Sequence, residues 1–253
     1  MKILSSTINA RLIIALAVGM LASISCLAQS FTSTYDFALV TASSGLTDPT
    51  PPPTATGVTF GSFSAFGYVG NPNATVRFSF QTNAMGGINA DDNFANFTGS
   101  LDAARYYEVT LTPQAGYSLD INTIAFTIQR SGTGIRSYAV RSGVDAFAAN
   151  LSASISPANA NLTVGPGDEF RVVADATTAA QNGSLVTLGV PFGALTSPVS
   201  FRFYGWNAEG TGGTFSIDNV AFSGAVTAVP EPTALALVTG LGLVALRCWR
   251  NRR

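Results

Sequence analysis

From Ser30 onward, short β-favouring segments follow one another with turn residues between them, and no stretch of twelve or more residues carries apolar side chains at helical spacing. A chain with that pattern closes as a sandwich or barrel. The strand candidates are 33–40, 57–69, 74–81, 105–112, 119–130, 135–142, 169–174, 184–190, 199–206 and 214–222. Alternation sets their faces. Tyr107, Val109 and Leu111, and likewise Ile124, Phe126 and Ile128, lie two apart with polar residues between them, as a half-buried sheet requires. Val199, Phe201 and Phe203 form a third such row, which puts Arg202, Tyr204 and Trp206 together on the opposite face. The expected architecture is all-β, a two-sheet antiparallel β-sandwich over 29–227. The segment 146–161 is Ala-rich and reads neither way. Asp48-Pro49-Thr50-Pro51-Pro52-Pro53 reads as an exposed polyproline-like spacer, and Asn71-Pro72-Asn73, Met85-Gly86-Gly87, Ser131-Gly132-Thr133-Gly134 and Gly210-Thr211-Gly212-Gly213 read as turns.

The chain has 253 residues, enough for a core without staples, and both cysteines, Cys26 and Cys248, lie outside the strand-rich middle. There is no histidine, which removes Ser-His-Asp and Cys-His catalysis and His-ligated zinc. Between Gln29 and Val229 seven arginines face thirteen carboxylates, a net charge of −6, with no lysine. Such a domain is a poor electrostatic match for nucleic acid.

The ends are of a different kind. Lys2 and Arg11 precede an apolar run from Leu12 to Leu21, and small residues follow up to Ala28, in the order of a secretory signal peptide. The run is short for a membrane span, which needs roughly 20 residues. The expectation is a signal peptide over 1–28, handled by the Sec translocon and cut by signal peptidase after Ala28. Cys26 lacks the upstream leucine of a lipoprotein site. At the other end, Val229-Pro230-Glu231-Pro232 leads into an almost wholly apolar segment from Thr233 to Leu246 and then a basic tail with Arg247, Arg250, Arg252 and Arg253. Those arginines belong on the cytoplasmic side of a short transmembrane helix, about 233–249, and Trp249 suits the headgroup layer.

Pro230-Glu231-Pro232, the helix with Gly240 and Gly242, and the Arg-rich tail resemble the PEP-CTERM sorting signal of exosortase substrates, also described as an ice-binding-protein C-terminal motif. The resemblance covers 228–253. It implies export, membrane retention, processing by an exosortase near Pro-Glu-Pro, and delivery to the cell surface or an extracellular, biofilm-type matrix. A permanent single-pass anchor is the alternative. The stretches Arg202-Phe203-Tyr204-Gly205-Trp206, Phe215 to Val220 and Ile135 to Ser142 resemble strands of the β-sandwich domains often joined to such tails. That second resemblance implies a jelly-roll-like arrangement of two sheets. Ice binding is disfavoured, because no regular Thr-x-Thr repeat is present.

Three kinds of site are open. Arg202, Tyr204 and Trp206, with Arg136 and Tyr138 from another strand, would make a glycan-binding platform for an exopolysaccharide, since aromatic faces stack on sugar C–H groups and guanidinium donors reach hydroxyls. Cross-strand packing is the competing reading of the same aromatic row. Asp218 and Asn219, with Asp36, are the calcium candidates, against strand-end capping by the same oxygens; no loop has the spaced acidic ligands of a dedicated calcium motif. The acidic doublets Asp91-Asp92 and Asp168-Glu169 read as solvated turn charges, because glycoside hydrolysis needs two carboxylates across a cleft. The leading expectation is a non-catalytic, exported surface or matrix protein with no required cofactor; a carbohydrate-binding module and a matrix glycoside hydrolase are the alternatives.

Overall fold

The computed structural model describes residues 27–68 and 74–229. The chain divides into two compact units, Gln29–Val226 and the two ends Met1–Ala28 with Thr227–Arg253. The signal peptide over 1–28, the turn at Asn71-Pro72-Asn73, Pro230-Glu231-Pro232 and the segment 233–249 lie almost wholly outside the described residues. Among the described residues no helix is long and apolar enough to cross a membrane.

Gln29–Val226 is built from strands with three short 3-10 turns. The strands are β1 (Ala28–Tyr35), β2 (Thr54–Ala55), β3 (Val58–Phe60), β4 (Ser64–Phe66), β5 (Phe78–Gln81), β6 (Tyr106–Pro113), β7 (Tyr117–Arg130), β8 (Ser137–Ser142), β9 (Ala153–Ile155), β10 (Leu162–Gly165), β11 (Glu169–Val172), β12 (Gln181–Thr187), β13 (Val199–Trp206) and β14 (Thr214–Ala228). One sheet runs β1-β14-β7-β12-β9, with β5 beside β14; the other runs β10-β11-β8-β13-β6-β3-β2, with β4 beside β6. Their pairings are antiparallel wherever the register is defined.

The inner faces of the two sheets meet in one core. Tyr107, Val109 and Leu111 from β6, Ile124, Phe126 and Ile128 from β7, and Val199, Phe201 and Phe203 from β13 are all buried in it, so the alternating rows face inward as the period of two demands. Tyr107 ties the layers together. Its hydroxyl donates to the Phe215 carbonyl at 2.5 Å and accepts the Phe80 amide at 3.2 Å, both on the opposite sheet, while its ring stacks on Phe215 at 5.2 Å.

Several expectations change. The first strand ends at Tyr35 rather than running 33–40, because Phe37 turns the chain with φ 50°. The candidate 57–69 is two short strands, β3 and β4, both paired with β6. The Ala-rich segment contributes β9, which extends the first sheet at β12. Asp48 is buried, and its carboxylate accepts the Thr50 amide, so the Pro-rich spacer begins inside the fold.

Candidate functional site

The long strand β14 slips phase. Phe215 and Ile217 face the core, and so do Val220, Phe222 and Val226, a shift of one residue absorbed by Asn219 in the left-handed region at φ 48°. The Asp218-Asn219 pair is therefore a strand bulge. Asp218 spends its oxygens there, accepting the Asn219 amide at 2.7 Å and its Nδ2 at 3.0 Å. Burial raises the Asp218 carboxyl, and Arg77 opposes that shift. Asp36 accepts the Ala38 amide. Among the described residues no group of three or more His, Cys, Asp or Glu side chains is placed to hold a metal ion.

The outer face of β13 carries Arg202, Tyr204 and Trp206 together, opposite Arg141, Ala139 and Ser137 of β8. It is not an open platform. The segment 82–105 packs over it, joined by the Gly99 amide to Asn207 Oδ1 at 2.9 Å and by a Met85–Ala208 bridge. A side chain at Gly99 would meet Asn207 Oδ1 at 2.3 Å, so the approach needs glycine there. Tyr204 and Trp206 become a second, smaller core with Ala84 and Ala139, against which Leu101 and Tyr106 pack. Their ring faces meet protein, which overturns the platform reading for both. Tyr138 sits on the opposite, inward face, stacked on Phe170 at 4.9 Å with its hydroxyl beside Ser184 at 2.8 Å. Arg136 is fully buried. Of the five predicted residues only Arg202 keeps partial exposure, and its guanidinium is sandwiched between Tyr106 and Phe147 at 4.0 and 3.7 Å while pairing with Glu108 at 2.6 Å. Trp206→Ala is expected to lower unfolding stability by about 3–5 kcal/mol in urea melts, as loss of a buried indole does; a surface platform residue would leave stability within about 0.5 kcal/mol.

Arg130 and Arg136 build a charged cluster at one end of the sandwich. Arg130 continues the inward row of Ile124, Phe126 and Ile128, and Arg136 precedes Tyr138 and Val140 in the same phase, with the turn of residues 131–135 between them. Arg130 Nη2 donates to Glu209 Oε1 at 2.7 Å and Nη1 pairs with Asp175 Oδ1 at 3.3 Å. Arg136 donates to the carbonyls of Val172, Asp91 and Val173 and to the carboxylates of Asp92 and Glu209, at 2.9–3.3 Å. Its guanidinium also lies over the rings of Phe94 and Phe97. Burial, reinforced by Asp175, pushes the Glu209 carboxyl up to about 7. Burial alone would raise Asp175, but hydrogen bonds from Glu209, the Ala90 amide and Arg130 hold it below the usual carboxylate range. Asp92 keeps a solvent-exposed side chain, 60% accessible, while pairing with Arg136 and accepting the Asp175 amide, and Asp91 caps Asn93 and Asn96. Of the second doublet, Asp168 holds the Ala153 amide and Glu169 pairs with Arg171.

The outer face of the other sheet carries a polar groove of about 310 Å³, lined by Arg77, Ser79, Gln129, Arg130, Ser131, Thr178, Thr214 and Ser216. It continues past Arg77 toward Thr127 and Asp218. Across it Ser216 Oγ donates to Ser79 Oγ at 2.6 Å.

No protein-family model matches this chain, and no curated protein matches it. Among solved structures it is similar to the K3 cleaved adhesin domain of Lys-gingipain from Porphyromonas gingivalis W83, at 13% identity and a TM-score of 0.33, over 77% of this chain and 99% of that one.

Proposed function

We propose that the chain is an exported, non-catalytic β-sandwich, retained at the membrane and sorted to the surface or matrix through residues 228–253. The observation that carries this reading is where the core lies. Its buried members run from Tyr35 to Val226, inside the unit Gln29–Val226, and that unit contains neither cysteine. A sandwich that fills its own core between the two terminal segments would survive the loss of both, as export and sorting require. The non-catalytic part is supported by the carboxylates that come together in the fold. Asp92, Asp175 and Glu209 are held by Arg130 and Arg136, with Glu209 sealed from solvent, so they do not flank an open cleft as a hydrolase pair would.

Fractionation of the native host tests the sorting. Wild type is expected in membrane and extracellular or surface fractions. A variant with Pro230, Glu231 and Pro232 all replaced by alanine is expected to accumulate in the membrane. Equal distributions of the two would contradict the proposal.

A further inference from the structure

We infer that the groove across β5, β7 and β14 is a binding site for a carboxylated saccharide, with Arg77 receiving the carboxylate. Two of its wall hydroxyls already bond each other, Ser216 Oγ donating to Ser79 Oγ at 2.6 Å, and the donors open to a ligand are those of Arg77, Ser131 and Thr214. The Nε–H of Arg77 is shut away from solvent and has no hydrogen-bond partner among the described residues. An unpaired buried donor is costly, which makes the one on Arg77 a sign of a missing acceptor. Ser131 and Thr214 accept each other's backbone amides through their hydroxyl oxygens, which leaves both hydroxyl hydrogens to donate. Gln129 donates its amide to the Thr178 carbonyl and keeps its Oε1 as an acceptor.

That donor set specifies the ligand. Arg130 already answers Asp175 and Glu209, whereas Arg77 forms no salt bridge among the described residues. The charge to be met is therefore at Arg77, by one anionic group. A planar carboxylate fits a guanidinium edge. The remaining lining is hydroxyl and amide, suited to the hydroxyls of a sugar ring, and the volume lies at the small end of ligand pockets, near 300 Å³. A bare inorganic anion would satisfy Arg77 and leave most of the groove unfilled. The domain's net charge of −6 opposes unspecific adsorption of polyanions, so any such binding must come from this local arrangement.

Isothermal titration of the full chain in a neutral detergent, with digalacturonate, galactobiose and sodium sulfate as probes, tests the assignment independently of how the chain is sorted. Digalacturonate is expected to bind saturably and at least about tenfold more tightly than either of the others, and Arg77→Ala to weaken it by roughly 10- to 100-fold, the range for a charge-assisted hydrogen bond. Arg77→Ala should keep the wild-type melting temperature within a few degrees, since Arg77 forms no salt bridge among the described residues, and Arg202→Ala, on the other sheet, should bind digalacturonate as wild type does. No saturable binding, equal affinity for galactobiose, equal affinity for sulfate, or an unchanged affinity in Arg77→Ala would each overturn the inference.

Discussion

Replacing Arg136 by alanine is expected to cost about 3–5 kcal/mol of unfolding free energy, the range for breaking a buried ion pair from one side. The reason is the number of groups left behind. Arg136 satisfies three main-chain carbonyls and two carboxylates and caps the rings of Phe94 and Phe97. Without it Glu209 keeps, among the described residues, only Arg130 as a cationic partner, and the carbonyls of Val172 and Asp91 lose the donor that Arg136 supplied. Segment 82–105 is fastened to the sandwich partly through these contacts, so its protection from hydrogen exchange should fall with the global stability. In a domain of this size the melting midpoint drops by roughly 6–20 °C. Arg136→Lys should recover little, because one ammonium cannot replace a planar fork of five donors. The contrast is Arg105→Ala, which breaks a half-exposed pair with Asp102 and is expected to cost no more than about 1 kcal/mol. Comparable losses for Arg105 and Arg136 in urea titrations would mean that the end cluster does not hold the loop.

The second large effect is at Tyr107. Tyr107→Ala removes a fully buried ring that touches Phe78, Phe80, Tyr68 and Phe215, and about 3–5 kcal/mol should be lost. Tyr107→Phe separates the hydroxyl from the ring. It keeps the stacking but strips an acceptor from the Phe80 amide and a donor from the Phe215 carbonyl, both in the dry layer between the sheets. A cost of about 1–3 kcal/mol is expected, with faster exchange of the Phe80 amide measured by NMR. If Tyr107→Phe is neutral, the two sheets are held by ring packing alone.

These two residues also show where the chain can be read without its structure. Tyr107 lies in a plain alternating row, and its inward direction follows from the period of two. Arg130 and Arg136 carried a signal of the same kind: each is a charge at a position where the row demands an apolar residue, and a charge in core phase calls for partners. The partners themselves were not legible. Asp175 and Glu209 arrive from loops after β11 and β13, and only the sheet order brings those loops to one end. The aromatic row on β13 failed as a platform for a related reason. Alternation correctly put Tyr204 and Trp206 on one face, yet that face is decided by segment 82–105, which has no strand periodicity to give it a register. Asp218 and Asn219 were legible as a local hydrogen-bonding pair. The bulge they make inside β14 depends on the phase slip between Ile217 and Val220. The groove was invisible in the sequence, because Arg77, Gln129 and Thr214 lie far apart in the chain and meet only through the adjacency of β5, β14 and β7.

The proposed role rests most heavily on what happens at the C-terminus, so intact mass spectrometry of the chain from membrane and extracellular fractions of its native host is the most direct test. The account predicts an extracellular wild-type species that ends near Glu231, and a variant with alanines at Pro230, Glu231 and Pro232 that retains Arg253. A wild-type chain that still ends at Arg253 in every fraction would contradict it and make residues 233–249 a permanent anchor.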